Sequence, residues 1–151
     1  MHRPLRLSLL LVVPAALALA ADNKPPAMDD QGVANVKDAK WSPPKAPEIP
    51  PGVMVAPIAA DPGAANIGYA KYPAGYVFPL HYHSAVETTT LISGKGRYTI
   101  SGKAYELEPG GYIVIPAKAP HKFECLSGSE CVAITRRPAP ADYNWVSERE
   151  R

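Results

Sequence analysis

The sequence predicts a single all-β domain, a barrel or sandwich of antiparallel strands. Three observations indicate this class. From residue 53 onward, short runs rich in β-branched and aromatic residues alternate with Pro-Gly, Gly-Lys and Ser-Gly turns. No long 3.6-residue periodicity of apolar residues occurs between Val53 and Arg136. Once the N-terminal segment described next is removed, about 130 residues remain, which is the length of one domain.

The N-terminus has the pattern of a secretory signal peptide. Arg3 and Arg6 precede an apolar run, and the small-residue triplet ALA at 18–20 fits the rule for cleavage, so residues 1–21 are assigned to the signal. The run is interrupted by Pro14 and is shorter than the roughly 20 residues that cross a bilayer. The sequence therefore predicts a periplasmic or secreted protein with no stable membrane anchor after cleavage. An uncleaved anchor is the alternative.

The charge of the chain argues against a nucleic-acid partner. The full sequence has 16 Lys plus Arg against 14 Asp plus Glu. Cleavage of the signal removes Arg3 and Arg6, which leaves 14 residues of each sign and a formally neutral protein. A nucleic-acid-binding domain instead carries a clustered excess of basic residues.

Proline marks the segment before the domain. Of the 18 prolines, seven lie between Pro43 and Pro62. Because proline lacks the amide donor for helix or central-strand pairing, residues 22–52 are interpreted as an extended Pro-rich arm or linker, free to fold back on a sheet edge. The barrel is assigned to residues 53–137 and a C-terminal tail, helical or extended, to residues 138–151.

Eight runs in the barrel region read as strands. They are VMVAPI, NIGYAKY, ETTTLIS, GRYTIS, KAYELE, GYIVIP, HKFECL and CVAITR. Gly102-Lys103 between two of them predicts a tight turn in which Gly102 has a positive φ.

The two cysteines, Cys125 and Cys131, flank the turn LSGSE between two of these strands. Export makes oxidation available, and paired strands would place the two sulfurs across the mouth of a hairpin. A disulfide is therefore expected, with two reduced thiols as the alternative.

The stretch LHYHSAVET, residues 80–88, carries the strongest chemical signal. Side chains alternate along a strand, so His81 and His83 share a face, while Glu87 can enter from the next strand and His121 begins a later one. Three imidazoles and one carboxylate form a mixed nitrogen and oxygen site for a divalent first-row metal. The alternatives are a solvated polar strand for the histidine pair, a loop end for His121, and a carboxylate that only orients a histidine for Glu87.

Here the chain resembles the cupin superfamily. GYVFPLHYHSAVETTTLISG matches the first cupin motif, G-x5-H-x-H-x3-E-x6-G, at every defined position. GGYIVIPAKAPHKFEC resembles the second motif, G-x5-P-x-G-x2-H-x3-N, with Lys118 in place of glycine and Cys125 in place of asparagine. The resemblance, to small bacterial single-domain cupins, covers roughly residues 65–137. It implies a jelly-roll β-barrel of two antiparallel sheets in which His81, His83, Glu87 and His121 hold the metal.

Counting by twos from the ligands predicts the lining of the cavity. This count places Thr89, Leu91, Phe123 and Cys125 inside. Proximity in sequence suggests that Tyr69, Lys71 and Phe78 close the mouth, where Tyr69, Lys71 and Tyr98 are the candidate acid or base groups. The predicted substrate-pocket residues are Tyr69, Lys71, Phe78, Thr89, Leu91, Tyr98 and Phe123. Arg136 and Arg137 are expected at a solvated strand end.

The sequence thus favours a metal-binding protein that acts on or binds a small organic molecule. The metal is one divalent ion, with iron, manganese, nickel and zinc left open. The resemblance implies dioxygenase, isomerase or lyase chemistry without choosing among them. The alternatives are a non-catalytic module that binds or senses a small ligand or the metal, and a scaffold with a vestigial site. Cupins commonly pair through sheet edges, so a homodimer is a further expectation.

Overall fold

The computed structural model describes residues 34–45, 49–60, 65–138 and 142–147. The predicted signal peptide and the beginning of the Pro-rich arm lie outside these residues. Ten strands occur in the described part of the chain: β1 (Met54–Ala60), β2 (Ala65–Tyr72), β3 (Val77–Tyr82), β4 (Glu87–Ser93), β5 (Gly96–Ile100), β6 (Lys103–Leu107), β7 (Tyr112–Ile115), β8 (His121–Cys125), β9 (Cys131–Pro138) and β10 (Asn144–Trp145).

The strands form two antiparallel sheets of five strands each. The first sheet has the order β1-β2-β9-β4-β7 and the second the order β10-β3-β8-β5-β6. Their inner faces pack on a shared apolar core, in which Leu91 and Ala133 of the first sheet meet Phe78, Tyr98 and Phe123 of the second. The predicted all-β, two-sheet architecture is confirmed, and it places β3 and β8 side by side opposite β4 and β9.

Strict alternation along β4 and β8 decides which side chains enter the barrel. In β4 the buried residues are Glu87, Thr89 and Leu91, and in β8 they are His121, Phe123 and Cys125, while the intervening residues are more exposed. Because successive side chains of a strand point to opposite faces, a ligand at the start of each strand shares its face with the apolar core.

The turn residues behave as the sequence predicts at the β5–β6 hairpin. Gly102 has a φ of 84° and Ser101 a φ of 48°, the pair of positive angles that characterises a type I′ turn. Lys118 also has a positive φ, 62°. This is the position where the second cupin motif has glycine, so the backbone keeps the left-handed conformation although the residue has changed.

The described part of the arm covers the outer face of the first sheet. Ser42 forms an antiparallel bridge with Val55 at the edge strand β1. Trp41 packs on Tyr69, with ring centroids 6.3 Å apart, inside a second apolar cluster that also contains Ala56 and Ile58. The arm therefore shields apolar side chains that the barrel core cannot reach.

After β9 the chain returns to the second sheet. Asn144 and Trp145 of β10 pair with Tyr82 and His81 of β3, and the amide of Val146 donates to Leu80 O at 3.1 Å. Residues 142–147 thus complete the sheet edge beside the histidines. No helix among the described residues is long and apolar enough to cross a membrane.

The cysteine pair lies where β8 leaves the second sheet and β9 enters the first. The Sγ atoms of Cys125 and Cys131 are 2.02 Å apart, which is disulfide-bond distance. Both residues are buried in the main core. The link therefore joins the two sheets at the end of the barrel that carries the LSGSE turn.

Candidate metal centre

Sheet register brings the histidines together. His81 on β3 and His121 on β8 are direct partners in the antiparallel pair, and their ring centroids are 4.3 Å apart. His83 directly follows the end of β3, and its ring lies 4.8 Å from that of His81 and 5.2 Å from that of His121. The potential ligand nitrogens of all three residues lie within 4.8 Å of one another, and all three residues are buried.

Backbone carbonyls fix the orientation of each imidazole. Nδ1 of His81 lies 2.7 Å from Pro79 O, Nδ1 of His121 lies 2.9 Å from Ala119 O, and Nδ1 of His83 bonds to the carbonyl of Asp142. A carbonyl can only accept, so each Nδ1 carries the proton and each Nε2 keeps a lone pair. This is the arrangement in which a metal-binding histidine is held by its other ring nitrogen.

A further atom supports the fit to a metal ion. Nε2 of His121 is fully buried and has no hydrogen-bond partner among the described residues. Buried polar atoms are nearly always satisfied, and an unsatisfied one is explained by an ion or water at the site. Three convergent imidazole lone pairs suit a divalent first-row metal, so the residues present fit the group that the sequence predicts.

Glu87, the first residue of β4, approaches from the opposite sheet. Its Oε2 lies 2.9 Å from His83 Nε2. Two neighbouring ligand atoms that are each about 2.1 Å from an octahedral metal are about 3 Å apart, so the separation suits shared coordination. Thr89 Oγ1 donates to Glu87 Oε1 at 3.2 Å and steadies the carboxylate from the far side.

The protonation states also suit metal binding. Burial, reinforced by the neighbouring His121, lowers the pKa of His81 from 6.5 to about 3. Burial likewise lowers the pKa of His121. Burial alone would raise the pKa of Glu87, but the neighbouring His83 and the charge of Arg137 outweigh it and lower that pKa to about 2. At neutral pH, His81 and His121 are therefore neutral and the carboxylate is charged, as coordination requires.

Arg137 is the functional residue that the sequence analysis misplaced. The sequence interpretation ends the last strand at Arg136 and expects both arginines in solvent, whereas β9 continues to Pro138. Thr88 of β4 pairs with Arg136 of β9, so the next facing positions of the two antiparallel strands are Glu87 and Arg137, and both lie on the inner face. Nε of Arg137 lies 3.4 Å from Glu87 Oε2, and the side chain is only 15% exposed. Extending the period-two count from Ala133 through Thr135 would have found it.

Aromatic side chains line one side of the histidines. The ring of Tyr143 lies 5.0 Å from that of His83, the ring of Trp145 lies 5.5 Å from that of His81, and the ring of Phe78 lies 4.9 Å from that of His81. Tyr143 and Trp145 stack at 5.7 Å and are only half-buried. The segment predicted as a tail therefore supplies part of the wall beside the cluster.

The predicted pocket residues divide into two groups. Five are buried in the barrel interior: Phe78, Thr89, Leu91, Tyr98 and Phe123. Tyr69 and Lys71 face the other way, so the expectation that they close the mouth is wrong. The Tyr69 hydroxyl donates to Ala34 O at 3.3 Å, and Lys71 Nζ lies 4.5 Å from the Trp41 ring centroid, both under the arm. Both residues lie on the outer face of β2, which sequence alone could not show.

Tyr98 lies deep in the core rather than at the mouth. It is 2% exposed. Burial, together with the negative charge of Glu87, raises the pKa of Tyr98 above its ordinary value. Its hydroxyl therefore stays protonated at neutral pH.

The fold and the site together define a single-domain β-barrel with an inward-facing three-histidine cluster. The chain contains a cupin domain: the model of the cupin domain family Cupin_2 matches residues 68–135. No curated protein sequence gives a significant match.

Solved structures share the fold at low sequence identity. The polyketide cyclase RemF from Streptomyces resistomycificus aligns with a TM-score of 0.65 at 18% identity, over 77% of this chain and 87% of that one. KdgF from Halomonas sp. aligns with a TM-score of 0.59 at 19% identity, over 72% of this chain and 94% of that one. Rru_A2000 from Rhodospirillum rubrum, a cupin-2 domain, aligns with a TM-score of 0.60 at 14% identity, over 74% of this chain and 84% of that one. At these identities the likeness shows the fold alone.

Proposed function

We propose that this protein binds one divalent first-row metal ion through His81, His83, Glu87 and His121. The observation that carries the proposal is the convergence of three imidazoles whose Nδ1 atoms are all tied to backbone carbonyls, with a buried, unpartnered Nε2 on His121. A polar strand without a chemical role would not leave a buried lone pair such as that of His121 Nε2 unsatisfied, because doing so costs free energy.

The donor set suits iron, manganese, nickel or zinc. Imidazole nitrogen is a good ligand for iron, nickel and zinc, and the single carboxylate extends the range toward manganese. A metal bound here would supply Lewis-acid polarisation or oxygen activation to a small organic ligand. The protein would hold the ligand beside the aromatic wall of Phe78, Tyr143 and Trp145.

We favour an enzyme of the cupin type acting on a small molecule. Its support is the site itself together with fold neighbours that include a polyketide cyclase and DMSP lyases. These activities belong to those proteins. Since one fold hosts many chemistries, the reaction of this chain, whether oxygenase, isomerase or lyase, is a matter for assay.

A non-catalytic binding module is the second candidate, and one observation favours it. Among the described residues, the buried polar or charged side chains are the four proposed ligands and Thr89. Every buried carboxylate and imidazole of this group is proposed as a metal ligand. No buried carboxylate or imidazole of the group is therefore left to act as a separate general base. A protein that captures a metal or a small ligand needs no such base.

We also propose that the protein works outside the cytoplasm. Support comes from the signal-like N-terminus and from the Cys125–Cys131 pair at disulfide distance. Disulfides persist in oxidising compartments and are rare in the cytosol.

Turnover assays on metal-loaded protein distinguish the two candidates. Protein loaded separately with iron, manganese, nickel or zinc would be incubated with catechols, flavonols and organic acids, while oxygen uptake and product formation are followed. Turnover with one metal, lost in His121→Ala, would establish an enzyme. Stoichiometric metal binding without turnover would favour the binding module, and no binding of any of the four metals would contradict both.

A further inference from the structure

Each of the three guanidinium nitrogens of Arg137 has a partner. Two of them contact the proposed metal ligands Glu87 and His83, and the third contacts Tyr143. Nε lies 3.4 Å from Glu87 Oε2, Nη1 lies 3.2 Å from His83 Nε2, and Nη2 donates to the Tyr143 hydroxyl at 2.9 Å. The Tyr143 ring also lies 4.8 Å from the guanidinium carbon. Because arginine stays protonated in proteins, the barrel interior holds a fixed positive charge beside the ligands.

Two of these contacts compete with coordination. Nδ1 of His83 is the donor to Asp142 O, so Nε2 has one lone pair, and that lone pair accepts from Arg137 Nη1. Coordination through the same lone pair would leave Nη1 without its acceptor. The Glu87 carboxylate would likewise be shared with the metal. Arg137 would then hold a largely buried donor, aimed at the centre, that lacks a full partner.

The charge balance of the metal-loaded site gives an independent reason to expect a bound anion beside the metal and Arg137. Coordinating imidazoles are neutral. One carboxylate and one guanidinium cancel, so a divalent ion would leave a net charge of +2 inside the barrel. Uncompensated charge in a protein interior is costly, and an anion that contacts both the metal and the guanidinium would offset it.

We propose that the metal-loaded site selects a small organic carboxylate and that Arg137 is the residue that recognises it. One carboxylate oxygen would occupy a coordination position, while the other would accept from Arg137 Nη1. A planar guanidinium suits a planar carboxylate and makes strong, charge-assisted hydrogen bonds. This inference rests on the metal function proposed above.

The surroundings of Arg137 favour an organic anion over an inorganic one. Tyr143 holds Nη2 and stacks on Trp145, and both rings flank Phe78. An aromatic wall beside a cationic group offers contact area for the carbon skeleton of a carboxylate. Inorganic phosphate would leave that wall unused.

Cobalt absorption spectra can test the inference without relying on turnover. Protein loaded with Co²⁺ would be titrated with benzoate, with the neutral analogue benzamide and with inorganic phosphate. The expected result is that benzoate alters the cobalt bands, while benzamide and phosphate bind at least tenfold more weakly. Arg137→Gln should weaken benzoate binding about tenfold or more, since a hydrogen bond to a charged group is worth about 1.5–3 kcal/mol.

Arg136→Gln is the matched control, because Arg136 is the adjacent residue on β9 and is exposed on the opposite face. It should bind benzoate as the wild type does. Since Arg137→Gln leaves Glu87 without its cation and risks unfolding, Arg137→Lys and Tyr143→Phe are measured alongside and should also weaken benzoate binding.

The outcomes separate the two proposals. Unchanged benzoate affinity in the folded Arg137 variants, or equal binding of benzamide or phosphate, would overturn the carboxylate assignment while the metal centre stands. Failure of Co²⁺ to bind would overturn the metal centre and this inference together.

Discussion

His81 and His121 occupy directly opposite positions on the neighbouring strands β3 and β8, and their rings lie 4.3 Å apart. The pairing is set by sheet register, so the two rings meet wherever the sheet forms. Carbonyl acceptors at Pro79 and Ala119, each two residues before its histidine, then turn both Nε2 atoms inward. The site is therefore built by the fold before any metal arrives, which reduces the ordering cost of binding.

Replacing the carboxylate tests whether Glu87 is a ligand. Glu87→Gln keeps the shape of the side chain but removes its charge, so metal affinity should fall at least tenfold. Metal titration followed by isothermal calorimetry measures the change. Glu106→Gln is the control, because Glu106 lies exposed on β6 and pairs with the surface cations Lys95 and Arg97. Equal affinities of the two variants would limit Glu87 to orienting His83.

Acid should destabilise the metal-free protein. The folded state keeps the pKa of His81 at about 3, against 6.5 ordinarily, so the unfolded chain binds more protons between these values. The free energy of unfolding should fall as the pH drops below about 6.5, by up to about 1.4 kcal/mol per pH unit for this histidine. The lowered pKa of His121 acts in the same direction.

Glu87 adds a second loss of folding stability at lower pH. Its pKa of about 2 in the folded state, against 4.5 ordinarily, means that its stabilising effect is complete above pH 4.5 and is lost on further acidification. Urea midpoints of chelator-treated protein from pH 7.5 to 3.5 measure both effects. A midpoint that stays constant across this range would contradict them.

Gly96 should tolerate no side chain. A Cβ there would overlap Cε2 of Phe123, whose ring is packed between Tyr72 and Tyr98 at centroid distances of 4.7 Å and 4.9 Å. Gly96→Ala should therefore destabilise by roughly 1–3 kcal/mol, the usual cost of overpacking a core. Gly128→Ala is the control, since a Cβ there meets nothing within 4 Å. Equal thermal midpoints of the two variants would contradict the tight packing against Phe123.

Removing the Cys125–Cys131 link should destabilise the barrel. The bridge closes a loop with a sequence separation of six, and chain entropy assigns such a loop about 2 kcal/mol. Chemical denaturation of the protein with and without reductant measures the difference. Mass analysis under nonreducing conditions provides the control, and two free thiols would show that no bridge forms.

Sequence reasoning succeeded where local pattern and sheet geometry coincide. The alternation in ETTTLIS and HKFEC predicted which residues of β4 and β8 face inward, and the spacing of His81, His83 and His121 predicted their proximity. These features depend on period-two alternation within a strand, which holds in any sheet environment.

Sequence reasoning failed where distant segments decide the outcome. Tyr69 and Lys71 were expected at the mouth because they precede the ligand strand in sequence, but the arm covers their face of β2, and no local signal shows that. Residues 142–147 lack a clear strand pattern because a two-residue edge strand is specified by its partner, β3. Arg137 was missed because its charge suggested solvent, whereas Glu87 on β4 compensates that charge inside.

Metal content measures the central claim most directly. Elemental analysis of wild-type protein purified from its own host should find about one equivalent of a first-row divalent metal per chain. His83→Ala should lose at least nine-tenths of it while retaining the circular dichroism of the β-barrel, because one of the converging nitrogens is gone. Equal metal content in the two proteins, or none in the wild type, would contradict the claim that these side chains form a metal centre.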